Sequence, residues 1–242
     1  NFKQRMMEAA EESDVVVPVG WEFYEISDVA KEYPDTKFIW VDNPAEGIED
    51  LPNVLCILYA QNEGSFLAGY IAASMSETGV VGAVGGEDND TINDFLIGYK
   101  EGAQYANPDI KVVTNYANTY EDPAKGKECA LALNSQGADV VFAVAGNTGN
   151  GVFAAAKEKG FYVIGVDQDQ KLSAPEYDEQ IICSMKKEVG TSVYDTVKAL
   201  IEDDTWDGGR IWTADMATGY VSMAYGDENS TQQVSDDLKK AT

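Results

Sequence analysis

Apolar runs of four to seven residues alternate along the chain with longer stretches whose apolar positions recur every three to four residues. The clearest case lies between Ala138 and Gln170. An apolar run from Val140 to Ala145 meets a turn punctuated by Gly146, Gly149 and Gly151. A helical stretch then ends at Gly160, and a second apolar run from Tyr162 to Val166 stops at Asp167. Short apolar runs bounded by turn residues read as buried strands, so this is one strand-helix-strand unit. Its polar residues gather at the carboxyl ends of both strands, the edge at which open parallel sheets place their ligands.

The same rhythm runs through most of the chain. Phe2, Met6, Ala9 and Ala10 share one helical face, and an extended run follows from Val15 to Gly20. Trp21 to Tyr24 reads as a turn into a helix carrying Ile26, Val29 and Ala30, which stops before Pro34. Strands are predicted at 37–41, ending at Asp42, and at 53–58. The next helix, 63–77, spaces Ser65, Gly69 and Ala73 by four, which permits close approach of a neighbour, with Gly79 as its carboxyl cap. Strand 80–84, a polar turn at 85–90, a helix faced by Ile92, Phe95, Leu96, Tyr99 and Ala103, and strand 111–116 come next. Asp122-Pro123 then opens a helix, with Asp as amino cap and Pro at the first position. Beyond Asp167 the pattern gives strand 180–185, a helix faced by Val189, Val193, Val197, Leu200 and Ile201, an irregular strand-rich stretch at 210–225 and a short helix at 235–240. Such alternation predicts an α/β fold with mainly parallel sheets and helices on both faces. A helix that leads straight into a buried strand also implies a strand before it, so the natural protein is expected to be longer at its amino end.

Composition narrows the partners. With 42 acidic and 17 basic residues the formal charge is -25, which opposes nucleic acid, anionic lipid or polyphosphate as the main partner. No segment is long and apolar enough for a membrane-spanning helix, and the amino end lacks the pattern of a signal peptide. The chain has no histidine, and Cys56, Cys129 and Cys183 are scattered in apolar surroundings. They read as buried thiols, not as a zinc site or a Cys-His nucleophile. No G-x-S-x-G elbow is present, and no motif favours a paired-carboxylate glycosidase. No cofactor and no metal site is expected, and any hydrolysis would have to use carboxylates, Lys or Ser alone, a route that composition leaves open.

Several residues carry candidate chemistry. The Gly146-x-x-Gly149-x-Gly151 turn departs from dinucleotide spacing and lacks the Lys-Ser/Thr of a nucleotide-triphosphate loop. It reads either as a wall for an uncharged polar ligand or as helix-to-strand packing. Asp167 at its strand end suits a carboxylate accepting hydrogen bonds from vicinal hydroxyls, or a simple turn cap. Asp42 and Asp88 hold comparable places. The 167–171 run lacks the glycine and glutamate of a calcium loop. Lys186 and Lys187 form a basic pair just after a strand, either donors to a ligand or an ordinary solvated helix start. Trp21, Phe23, Trp40 and Phe142 lie near strand ends and read as stacking surfaces or as core.

Four segments together carry a family resemblance: GWEFYEISDVAKEYPDTKFIWVD, NEGSFLAGYIAASMSETGVVGAVGG, NPDIKVVTNYANTYEDPAKGKECAL and QGADVVFAVAGNTGNGVFAAAKEKGFYVIGVDQDQ. They resemble the basic membrane protein family of ABC-transporter solute receptors, the PnrA-like purine nucleoside binders, in order and over nearly the whole chain. The resemblance implies a type 1 periplasmic-binding fold, two α/β lobes joined by three crossings that close on ligand by hinge motion. Lobe one would hold 1–61 and 186–208, and lobe two 62–185 and 209–242, with crossings near Tyr59 to Asn62, Cys183 to Lys186 and Gly208 to Trp212. It further implies a non-enzymatic receptor, extracytoplasmic and lipid-anchored or periplasmic, that binds a purine nucleoside and delivers it to an ABC permease. Its only membrane attachment would be an anchor absent from this chain. Carried over, Asp167 would bind ribose, Asp42 would be the aspartate of lobe one, and Lys186 or Lys187 would contact ligand. Phe142 would stack on the base and Gly146 would shape the pocket; Trp21, from its place near a strand end, is a further candidate for an aromatic contact. Family members begin with roughly 60 further residues, about two β-α units, so an open sheet edge or a vacant slot is expected in lobe one.

Overall fold

A computed structural model describes all 242 residues. The elements run α1 (Phe2–Glu12), β1 (Val15–Val16), α2 (Ile26–Glu32), β2 (Lys37–Val41), β3 (Val54–Tyr59), α3 (Gln61–Met75), β4 (Val80–Gly85), α4 (Asp90–Ala106), β5 (Lys111–Tyr116), α5 (Pro123–Ser135), β6 (Val140–Val144), α6 (Gly149–Lys159), β7 (Tyr162–Asp167), α7 (Gln170–Ser173), β8 (Ile181–Lys187), α8 (Val189–Asp203), β9 (Arg210–Ala214), β10 (Val221–Ala224) and α9 (Asp236–Ala241). The chain divides into two compact units. Unit 1 holds Asn1–Ala60 and Glu188–Tyr220, and unit 2 holds Gln61–Lys187 and Val221–Thr242.

Unit 1 is built on a parallel sheet of order β1-β2-β3-β9. Met6, Ala10, Ile26, Val29 and Ala30 from α1 and α2 pack on Phe38, Trp40, Val54 and Cys56 of the sheet. Buried Asn53 turns its side-chain amide toward the carbonyls of Ala30, Tyr33 and Thr36, so the end of α2 is tied to the start of β3. The extended run from Val15 to Gly20 forms only a two-residue ladder, followed by an isolated bridge from Val19 to Val41. Pro18 interrupts it because it has no N–H to donate, although its carbonyl accepts from Val41. β1 is an outer strand of this sheet, and Val17, Val19 and Trp21 beyond it are exposed. The stretch 209–220, expected in the second lobe, belongs to unit 1. Its strand β9 pairs with β3 from Leu55↔Arg210 to Tyr59↔Ala214, a partner that the irregular apolar pattern of this stretch does not announce. The last passage between units accordingly falls after Tyr220, not at 208–212.

Unit 2 carries the larger sheet, order β10-β8-β7-β6-β4-β5, parallel except for β10 against β8. Alternation along β6 sends Val141 into the cluster with Leu133, Val152 and Phe153 of α5 and α6. Phe142 points the other way, onto Phe95 and Tyr99 of α4. The expected helix of 63–77 runs instead from Gln61 to Met75. Gly79, expected to cap it, has φ of +73° and belongs to the turn that feeds β4. The small-residue spacing on α3 does bring a helix close. A methyl at Gly69 would overlap the carbonyl oxygen of Tyr99, and methyls at Gly98 and Gly102 would overlap those of Asn62 and Phe66. Glycines on both helices therefore set the α3–α4 distance. Asp122 caps α5 by accepting from the N–H groups of Ala124 and Lys125.

Candidate functional site

In unit 2 the carboxyl ends of β8, β7, β6 and β4 lie side by side along one edge, in that order. They carry Lys187, Asp167, Gly146 and Gly86. Asp167 has φ of +66°, a conformation uncommon for a residue with a Cβ, and the N–H of Gln168 donates to the carbonyl of Val166 across it at 2.8 Å. Its side chain is 53% exposed, and Oδ1 lies 3.4 Å from Nζ of Lys187, whose side chain is 5% exposed. The Lys187 ammonium also sits 5.4 Å from the ring centroid of Phe95. A buried cation is thus held between a carboxylate that faces outward and an aromatic face that does not. Of the two lysines in the sequence, Lys187 supplies the ammonium beside Asp167. Lys186 is half-buried and aligned with Asp167 in the backbone register. Successive residues of a strand point to opposite faces, so only one of the pair can take this place.

Gly146 adopts φ of +53°, a region glycine enters freely, and a Cβ there would stand 3.4 Å from Cβ of Tyr120. The Tyr120 ring also covers the place a side chain would take at Gly86, and its hydroxyl accepts from Nδ2 of Asn89 at 2.8 Å. The glycines of the two strand-end turns therefore make room for an aromatic side chain of the same unit. Phe142 is corrected by the structure. It is fully buried, 5.3 Å from the Tyr99 ring and 6.3 Å from that of Phe95 by centroids. Lying two residues before the end of β6, it is core beneath the edge and offers no face for stacking. Phe95 and Tyr120 had given no sign of belonging here. Phe95 reads as one member of an apolar helix face, and Tyr120 as part of a loop.

Unit 1 has a comparable strand end. Asp42 follows β2 with φ of +69°, and its N–H donates to the carbonyl of Ile57. Gly20 donates to Val41 and accepts from the Trp40 indole at 2.9 Å, which brings the turn carrying Trp21 beside that strand end. Trp21 is 55% exposed. In each unit an aspartate in left-handed conformation closes a parallel strand. Such a conformation costs energy and persists where surrounding structure holds it; Asp204, which caps α8, and Asn118 adopt it as well.

Chemically, the edge of unit 2 offers a charged acceptor and a buried cationic donor, with the Tyr120 ring packed over the two glycine turns beside them. That set suits a neutral ligand with adjacent hydroxyls. The profile of a family described as ABC transporter substrate-binding protein PnrA-like matches residues 6–242. The chain belongs to this family. Among its relatives, basic membrane protein A2 of Borrelia garinii subsp. bavariensis is 37% identical over 207 residues, covering 83% of the chain and 60% of that protein. Basic membrane protein A of Borreliella burgdorferi is 34% identical over 215 residues, 87% of the chain and 62% of that protein. The chain thus spans about three fifths of the length of the relatives it matches. A crystal structure of an ABC transporter solute-binding protein from Aeropyrum pernix K1 superposes with a TM-score of 0.82 at 30% identity, covering 92% of this chain and 64% of that one. The fold is accordingly of the type 1 periplasmic-binding kind, and these family members are described as solute-binding proteins, not as enzymes.

Proposed function

We propose that the protein is the extracytoplasmic receptor for purine nucleosides of an ABC transporter, tethered by a lipid anchor and delivering its ligand to a permease. The observation that carries this reading is the pair formed by Asp167 and Lys187 at the end of β7 and β8. A fixed carboxylate accepts from two vicinal hydroxyls, as a ribose presents them, while the ammonium donates to a ring or hydroxyl oxygen. Asp42, in the same backbone conformation at the end of β2, is proposed as a further acceptor. Exposed Trp21 is proposed as a stacking surface for the base, Gly146 as a shaper of the pocket wall, and Lys186 as a secondary polar contact. The reading involves binding without bond cleavage.

A sugar receptor is the second reading, since Asp167 with Lys187 suits any vicinal diol. Calorimetry with guanosine, inosine, adenosine and ribose, followed by chromatography of each mixture, separates the possibilities. Tight binding of a nucleoside recovered intact is expected. Binding of ribose alone would favour the sugar receptor, and release of free base would turn the protein into an enzyme.

A further inference from the structure

The left-handed backbone at Asp167 raises the question of what holds it there. Gln170 lies three residues on, at the first position of α7. Its side-chain Oε1 accepts the N–H of Val166 at 2.7 Å, and its own N–H donates to Oγ of Ser184 at 3.0 Å. Ser184 is fully buried on β8, so the second anchor belongs to the neighbouring strand. Both polar groups crowd Gly165, where a Cβ would lie 2.6 Å from Ser184 Oγ and 2.8 Å from Gln170 Oε1. A side chain at position 165 would expel the amide. On the far side, Asp169 accepts from Lys171 N–H and, through Oδ2, from Gly226 N–H at 2.9 Å. Each residue flanking Asp167 is thus tied down, and Val166 is gripped on both its N–H, by Gln170, and its carbonyl, by Gln168. The carboxylate itself meets Lys187 and otherwise faces outward.

We infer that Gln170 is a positioning residue: its side-chain amide braces the Val166–Gln168 turn and so holds Asp167 in the left-handed conformation that aims its carboxylate. Left alone, a residue with a Cβ relaxes from this region toward negative φ. The brace offsets that tendency at a half-buried site where water would otherwise compete for the Val166 N–H. The aim of the carboxylate toward ligand hydroxyls rests on the reading of Asp167 given above, but the hold on the backbone does not.

The test therefore has two arms. In the first, scalar couplings in isotopically labelled, unliganded protein report the sign of φ at Asp167. Positive φ is expected in the wild type and in Gln170→Glu, which keeps an acceptor for Val166, and its loss in Gln170→Ala. In the second, calorimetry compares inosine with 2′,3′-dideoxyinosine. Q170A is expected to reduce the preference for inosine by about tenfold or more, as befits a misaimed hydrogen-bonding group, while leaving affinity for the dideoxy compound unchanged, and Q170E is expected to restore it. A general loss of folding would weaken both ligands together. Positive φ retained in Q170A, or an inosine preference unaltered by it, overturns the inference. If the wild type shows no preference for inosine, the nucleoside reading fails and the coupling measurement still decides the brace. Should Q170A not fold, Ser184→Ala removes the second anchor and is expected to move the same readouts in the same direction.

Discussion

Replacing Asp167 by glycine separates the two roles an aspartate can play at the end of β7, turn cap or ligand acceptor. At φ of +66° the wild-type residue carries the steric cost of a Cβ in the left-handed region, about 1–2 kcal/mol, which glycine does not have. Against this gain stands the greater freedom of glycine in the unfolded chain, about 0.5–1 kcal/mol. The lost ion pair with Lys187 adds to the debit. Because the Asp167 side chain is 53% exposed, solvent screens the pair and its worth falls to about 0–1 kcal/mol. These terms nearly cancel, so D167G is expected to unfold within about 6 °C of the wild type, given about 2–4 °C per kcal/mol for a chain of this size. Binding should respond quite differently. On the proposed nucleoside reading, two hydrogen bonds from ribose hydroxyls to a charged acceptor contribute about 1.5–3 kcal/mol each, and their joint loss weakens nucleoside affinity by about 10²–10⁴-fold. Calorimetric titration with inosine, beside a thermal melt of the same preparation, measures both. A variant that binds within about tenfold of the wild type but loses more than about 2 kcal/mol of stability would make Asp167 a turn cap and refute the argument.

The remaining predictions concern packing and acid. Gly102→Ala drives a methyl into the Phe66 carbonyl where α3 and α4 meet, and is expected to cost about 1–3 kcal/mol in denaturant unfolding. Gly190→Ala, on α8 with nothing within 4 Å of the new methyl, is expected to stabilise by about 0.4–1 kcal/mol in the same assay. At Asp178, burial pushes the carboxyl up, but hydrogen bonds from Thr231 and the Lys171 ammonium outweigh it and hold the group below its usual value of 3.8. A carboxyl with a depressed folded value contributes stability above its unfolded value of about 3.9 and loses it as pH falls through the lower folded one. Protection from amide exchange in 226–242, measured against the intrinsic rate at each pH, is therefore expected to persist at pH 5 and to fall only below about pH 4 in the segment that Thr231 and Gln233 tie to Asp178. Asp178→Asn should remove that acid step.

Much of the fold was legible because periodicity reports which side of an element is buried. The strand at 111–116 and the Asp122-Pro123 helix start need only local chemistry and stand where the pattern put them, and the run from Val140 to Ala145 gives a strand that ends one residue earlier, at Val144. Positions that depend on a partner were less legible. Phe142 and Val141 look equally apolar in sequence, yet only the placement of α4 makes Phe142 core beneath the strand ends. The stretch 209–220 has few local signals, and its membership in unit 1 comes from the pairing of β9 with β3. Of the α3–α4 glycines, Gly69 is marked by its spacing of four from Ser65 and Ala73, while Gly98 and Gly102 are explained only by the carbonyls of α3 that face them.

By itself, the sequence determined most of the elements, the parallel strand-helix alternation from Lys37 to Asp167, the family and the aspartates at two strand ends. Those follow from properties each segment carries alone: hydrophobic period, turn chemistry and residue identity. Only the tertiary structure decided that Lys187 meets Asp167, that Phe95 lies under that lysine, and that Gln170 and Ser184 grip the turn around it. A strand pattern states that residues 167 and 187 end buried runs, but not that β7 and β8 are neighbours in register. Their meeting is set by sheet order and packing, which no single segment encodes.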